Sequence, residues 1–149
     1  MGLVTAPRGV RLGVDVGTVR VGVAISDPHG ILATPVSTLA RDVAAGSDLD
    51  QLVRLVSDHD VVEVVVGLPR TLRGTAGPAE AAARAYADQL AGRIAPVPVV
   101  LVDERMTSVV ANRSLAESGV KGRARRAVVD QAAAVGILQT HLDRLRSRG

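Results

Sequence analysis

The stretch Leu12–Asp27, LGVDVGTVRVGVAISD, decides the fold of this chain. Residues alternate as on two β-strands. Leu12, Val14 and Val16 share one face of the first, with Gly13, Asp15 and Gly17 on the other. After a short turn near Gly17-Thr18, Val19, Val21, Val23 and Ile25 line one face, opposite Arg20, Gly22, Ala24 and Ser26. Two strands so close in sequence predict an antiparallel hairpin. The anomaly is Asp15, a carboxylate on a face otherwise kept to the smallest residues.

Outward from the hairpin, ILATPVSTLA predicts a third strand, placed at an edge or bent by Pro35. GSDLDQLVRLVSDHD has helical spacing, with Ser47 as N-cap. VVEVVVGL is a nearly continuous apolar run, as in a strand buried on both sides. GPAEAAARAYADQLAGRI starts a helix at Pro78, VPVVLVDER is a fifth strand, and TSVVANRSLAESG and AVVDQAAAVGILQTHLDRLR are helices. A meander followed by strand-helix units predicts an α/β fold. Its sheet is mixed and five-stranded, the later strands parallel through right-handed crossovers, with helices on both faces.

The chain of 149 residues fits one domain, 1–149, with a flexible basic loop at 118–126 inside it. Its core is aliphatic: 47% of residues are hydrophobic, yet Tyr86 is the single aromatic. Modules that stack bases on aromatic platforms are therefore poorly supported. The lack of cysteine excludes disulfides, thiol nucleophiles and Cys-bound zinc. No apolar run approaches a membrane span of roughly 20 residues, and the N-terminus has no signal-peptide core, so a cytoplasmic protein without membrane contact is expected. Positive charge gathers late in the chain, where Lys121, Arg123, Arg125, Arg126, Arg144, Arg146 and Arg148 face only Asp130 and Asp143. A basic end on a near-neutral body suits a polyanion. It equally suits a solvated helix with an Arg-rich tail.

Three acids fall where this topology could gather them. Asp15 is on the first strand, Glu104 at the C-terminal end of the fifth, and Asp130 early in the last helix. Each has a plain alternative: a turn residue, a solvated strand end, a partner for Arg125 or Arg126. Together they would repel unless a cation intervened. Oxygen ligands without His or Cys favour Mg²⁺ or Mn²⁺, and two such ions can hydrolyse a phosphodiester. Gly13, Gly17, Gly22 and Ala24 would then leave room for metal and phosphate. Asp103 precedes Glu104, but alternation sends it to the other face. Arg20 could reach a scissile phosphate or form a salt bridge with Asp15. Lys121, Arg123, Arg125 and Arg126 could clamp phosphates beside Asp130.

GVDVGTVRVGVAISD, VVVGLPRTLRGTAG, LVDERMTS and DQAAAVGILQTHL resemble the four signature blocks of the YqgF/RuvX family, across nearly the whole chain and in order. That family is a branch of the RNase H-like superfamily related to the RuvC junction resolvases. The resemblance implies an RNase H-like fold and a nuclease that matures the 5′ end of pre-16S ribosomal RNA. Some members are described as Holliday junction resolvases, which would work as dimers on four-way DNA. It implies Asp15, Glu104 and Asp130 as catalytic metal ligands, with Arg20, Arg105 and Thr107 on neighbouring motif positions. The loop after GLP departs from the family pattern. Arg70 and Arg73 make it basic, and both join the expected substrate contacts. The expected partner is nucleic acid, RNA ahead of DNA, and the protein a monomer or homodimer. Two rivals remain: an ATP-binding actin/Hsp70-like fold, from the DVGT turn, and a non-catalytic nucleic-acid or partner-binding module.

Overall fold

A computed structural model describes residues 8–70, 77–104 and 123–148, the side chains of 123–128 and 148 excepted. Strands β1 (Arg11–Val16), β2 (Arg20–Ser26) and β3 (Ala33–Ala40) form an antiparallel meander. Helix α1 (Ser47–Asp58), β4 (Glu63–Leu68), α2 (Pro78–Ile94), β5 (Val99–Asp103) and α3 (Arg123–Arg148) follow. The sheet has the order β3-β2-β1-β4-β5, with β4 parallel to both β1 and β5. This is the mixed five-stranded sheet expected. The predicted helix TSVVANRSLAESG lies outside the described residues. None of the described helices is long and apolar enough to cross a membrane.

Alternation along the strands divides the core in two. Leu12, Val14, Val21, Val23, Val64 and Val66 face α1 and α2, where they meet Leu49, Leu52, Tyr86 and Leu90. Ala24, Val65 and Val102 face α3 and meet Ala133, Ala134, Ile137, Leu138 and Leu142. The helix covers the small-residue face because that face has so little on it. A Cβ built on Gly13 would stand 2.8 Å from the Ala134 carbonyl oxygen and 2.7 Å from Leu138 Cβ. The α3 backbone therefore rests almost directly on β1.

Pro35 behaves as expected, and two other local details depart from expectation. Pro35 sits on the edge strand β3, where the pairing shifts from Val23–Ser37 to Ala24–Pro35 and leaves Val36 as a bulge. Ser47 is not the N-cap of α1. Gly46 takes that position with φ 72°, and the Asp42 carboxylate accepts the N–H groups of Ala45 (3.0 Å) and Ser47 (3.2 Å). Helix α3 begins at Arg123, within the segment expected as a loop. An extra turn of helix there needs only residues that tolerate it, and Arg and Ala do.

Candidate active site

The face under α3 carries a row of paired residues across the sheet. Thr38 on β3 pairs with Gly22 on β2, and Gly22 with Asp15 on β1. Gly67 on β4 follows Val66, the partner of Val14, and itself pairs with Val102 on β5. Asp15 thus stands between two glycines, and each glycine admits one of the other acids. A Cβ on Gly22 would lie 2.1 Å from the Asp130 carbonyl oxygen, and one on Gly67 would lie 2.9 Å from Glu104 Oε1. Asp15 and Glu104 are both buried, at 4% and 2% exposure.

This alters the reason for the small face. Gly13 and Gly22 do not leave space for metal or phosphate, because the α3 backbone fills it. Gly17 is closed by its own turn, its N–H donating to the Arg20 carbonyl at 2.9 Å, and Ala24 is in the core. The glycines bring the helix, and with it Asp130, down to the strand that carries Asp15.

Asp130 does not face Asp15 and Glu104 alone. Arg20 Nε donates to its Oδ2 at 2.7 Å, with the two side chains 30% and 20% accessible. Of the two alternatives for Arg20, the salt bridge is the one formed here, but with Asp130 and not Asp15. Among the described residues, no group of three or more Asp, Glu or His side chains is gathered closely enough to hold a metal ion. The donor chemistry nevertheless suits a hard divalent cation. Two carboxylates are held out of water on one face, and a third, with a guanidinium as counterion, is borne by the helix seated on the neighbouring Gly22.

Asp103 lies on the opposite face, 3.8 Å from Arg70 Nη1. Arg70 also donates to Glu80 at 3.0 Å. Glu80 is buried, which raises its pKa, but Arg70 and Arg84 outweigh this and hold the carboxyl below its ordinary value. Arg70 therefore joins β4 and β5 to α2 on the face away from Asp15. Arg73, Arg105, Thr107 and Lys121 lie outside the described residues. Arg123, Arg125 and Arg126 are on the first turns of α3, and their side chains also lie outside the description. Asp27 is a turn residue. Its carboxylate accepts the N–H groups of Leu32, Ile31 and His29 at 2.8, 2.8 and 3.0 Å, and these, Leu32 first, hold its pKa low against the opposing effect of desolvation.

Arg41 is a support that no spacing pointed to. Its N–H donates to Val19 O and its Nη1 to Gly17 O, both at 2.8 Å, so it clamps the turn between Asp15 and Arg20. On the α1/α2 side it lies 5.0 Å from the centre of the Tyr86 ring and 3.9 Å from buried Asp48, which accepts the Tyr86 hydroxyl at 2.8 Å. A cavity of about 170 Å³ lies beside this group, lined also by Arg93. The one sequence signal was the solitary aromatic at 86.

Residues 9–144 match the family model RuvX, described as Holliday junction resolvase. A Frankia casuarinae protein named "Putative pre-16S rRNA nuclease" is 62% identical over 137 residues, 92% of this chain and 68% of that protein. One of the same name from Mycobacteroides abscessus is 56% identical over 142 residues, covering 95% and 86%. Among solved structures, Thermus thermophilus RuvC in complex with a Holliday junction substrate superposes with a TM-score of 0.60 at 16% identity, covering 94% of this chain and 96% of that one. A second T. thermophilus RuvC structure gives 0.56 at 14% identity, covering 93% and 95%. At such identities the likeness is one of fold, and that fold is RNase H-like.

Proposed function

The chain belongs to the RuvX family, whose model it matches over residues 9–144, and from that premise we propose that it is a metal-dependent phosphodiester nuclease of structured nucleic acid. Its task on this reading is 5′-end processing of pre-16S rRNA, the activity in the names of its relatives from F. casuarinae and M. abscessus. The reading locates it in the cytoplasm with ribosomal precursors. The observation that carries it is the cross-sheet row, in which Asp15 stands between Gly22, beneath Asp130, and Gly67, against Glu104.

Asp15, Glu104 and Asp130 are the residues that would hold the cation, and their oxygen-only chemistry favours Mg²⁺ or Mn²⁺. When bound, such ions supply an activated water and stabilise the leaving oxygen of a phosphodiester. The chain's own part is positional. Burial of Asp15 and Glu104 keeps water from competing at their oxygens. Arg20 is within reach of a phosphate at the same end of the sheet, where its planar guanidinium can bind two oxygens. Arg73, Arg105, Thr107, Lys121, Arg123, Arg125 and Arg126 extend this contact along the nucleic-acid backbone, while Arg70 acts through the β4–α2 junction.

A second reading, cleavage of four-way DNA by a homodimer, draws on the description of the family model. One experiment separates the two. Pre-16S rRNA fragments, four-way DNA junctions and single strands are incubated with Mn²⁺ and the wild-type protein or Asp15→Asn. Cleavage of the rRNA fragment by the wild type alone supports the first reading, and preferential junction cleavage supports the second. A fully active Asp15→Asn protein overturns both.

A further inference from the structure

The ion pair between Arg20 and Asp130 bears on how the site would be filled. Arg20 Nε is 2.7 Å from Asp130 Oδ2, a short charge-assisted contact between side chains only partly open to solvent. The pair opens when a competitor is present: another cation for Asp130, or another anion for Arg20. Asp130 itself has little freedom to turn elsewhere by moving its backbone, since its carbonyl is seated over Gly22. The turn that bears Arg20 is likewise pinned, by Arg41 at Gly17 and Val19. With both backbones held, an exchange of partners falls to the side chains, and the longer and more exposed of the two is that of Arg20.

We propose that Arg20 is a stand-in cation that occupies Asp130 until a substrate phosphate draws it away, so that metal loading at Asp15, Glu104 and Asp130 is coupled to nucleic-acid binding. This rests on the nuclease reading above and adds its regulation. In the ground state the third carboxylate is held by Arg20 Nε at 2.7 Å instead of being left to an ion. A phosphodiester offers the guanidinium a bidentate partner, and its departure leaves Asp130 oxygen for the metal. Because binding couplings are reciprocal, metal at Asp130 should in turn raise the affinity of Arg20 for phosphate. The function of the arrangement is selectivity in time: a metal site completed only when there is a phosphate to attack does not hydrolyse at random.

The test needs no cleavage. Mn²⁺ is titrated into the nucleic-acid-free protein and free ion is followed by electron paramagnetic resonance, for wild type, Asp15→Asn, Arg20→Gln, Arg20→Met, Asp130→Asn and the Arg20→Gln/Asp130→Asn double variant. Far-UV circular dichroism checks the fold, and Arg20→Met carries the same expectation should Arg20→Gln not fold. Removing the arginine should tighten Mn²⁺ binding about tenfold, within the usual range of coupling between sites. In the Asp130→Asn background the same removal should change nothing, since there is no carboxylate left to release. Equal or weaker Mn²⁺ binding in both arginine variants overturns the stand-in role. If Asp15→Asn still weakens Mn²⁺ binding in that case, the nuclease reading survives it. Mn²⁺ binding that is absent from the wild type and from both arginine variants alike, or indifferent to Asp15→Asn, overturns both.

Discussion

The main-chain oxygen of Asp130 lies 2.1 Å from the point where a Cβ on Gly22 would stand, although 108 residues separate the two in sequence. A contact this close to backbone cannot be relieved by rotating a side chain, so the helix has to lift or the strand to bend. Gly22→Ala should cost about 1–3 kcal/mol, the usual range for overpacking, and should move Asp130 away from β1. Urea unfolding gives the first quantity. Loss of cleavage with the substrate best cut by the wild type gives the second.

Gly67→Ala should behave differently. Its added methyl would meet Ile137 Cδ1 at 2.3 Å and Glu104 Oε1 at 2.9 Å, both ends of side chains. Ile137 can change rotamer and Glu104 can shift, so the stability cost should stay near 1 kcal/mol. The displaced carboxylate is the larger effect, and a misplacement of about 1 Å can lower a rate by about 10²-fold. A ratio of activity loss to stability loss well above that of Gly22→Ala is the expected outcome. Activity that falls no further than the loss of folded protein accounts for would mean that Glu104 has no part in the chemistry.

How much of this was legible follows from the range of each interaction. The hairpin, the edge strand with Pro35 and the buried β4 are read from neighbours in sequence, because alternation and turn chemistry are local. The unusual smallness of the Asp15 face was visible too, but not its cause. Which helix rests on Gly13 and Gly22 depends on docking, and the space looked like room for ligand until α3 was found to fill it. Likewise the parity of Asp103 and Glu104 separates them, whereas the pairing of Arg20 with Asp130, rather than Asp15, arises 110 residues apart. Ser47 had the residue type of a cap, but Asp42 accepts the N–H groups because the preceding loop turns back on itself.

Tyr86→Phe tests the support behind the turn. The hydroxyl donates to the carboxylate of Asp48, which is 1% exposed, at 2.8 Å. Removing that donor should destabilise the fold by about 1–3 kcal/mol. Burial, and then the adjacent Asp48 carboxylate, push the phenol pKa well above its ordinary 10.0. A group raised in the folded state contributes stability that is complete below its unfolded pKa and is lost as pH rises past it. Wild-type stability should therefore decline above about pH 10 more steeply than that of Tyr86→Phe. Because Tyr86 is the one aromatic residue, tyrosinate absorbance in the wild type should appear only together with unfolding.

At the far end of the sheet, Arg11 is 3% exposed and donates from Nε to Glu63 Oε1 at 2.9 Å, while His141 Nε2 from α3 lies 2.8 Å from the same oxygen. This joins β1, β4 and the last helix through one carboxylate. The His141 contact lowers the Glu63 pKa from its ordinary 4.5; burial opposes it, and Arg11 adds to the lowering. A carboxyl depressed in the folded state stabilises the protein above its unfolded pKa, and the contribution fades as pH falls through the folded value. Glu63→Gln would leave the Arg11 guanidinium buried without its counterion, at a cost of about 3 kcal/mol. Urea unfolding between pH 3 and 7 (a range spanning the ordinary carboxyl pKa of about 4.3) should show the gap between wild type and variant widest at the neutral end and closing in acid. A gap that does not change with pH would mean that the carboxylate charge contributes nothing and that the variant suffers only from altered packing.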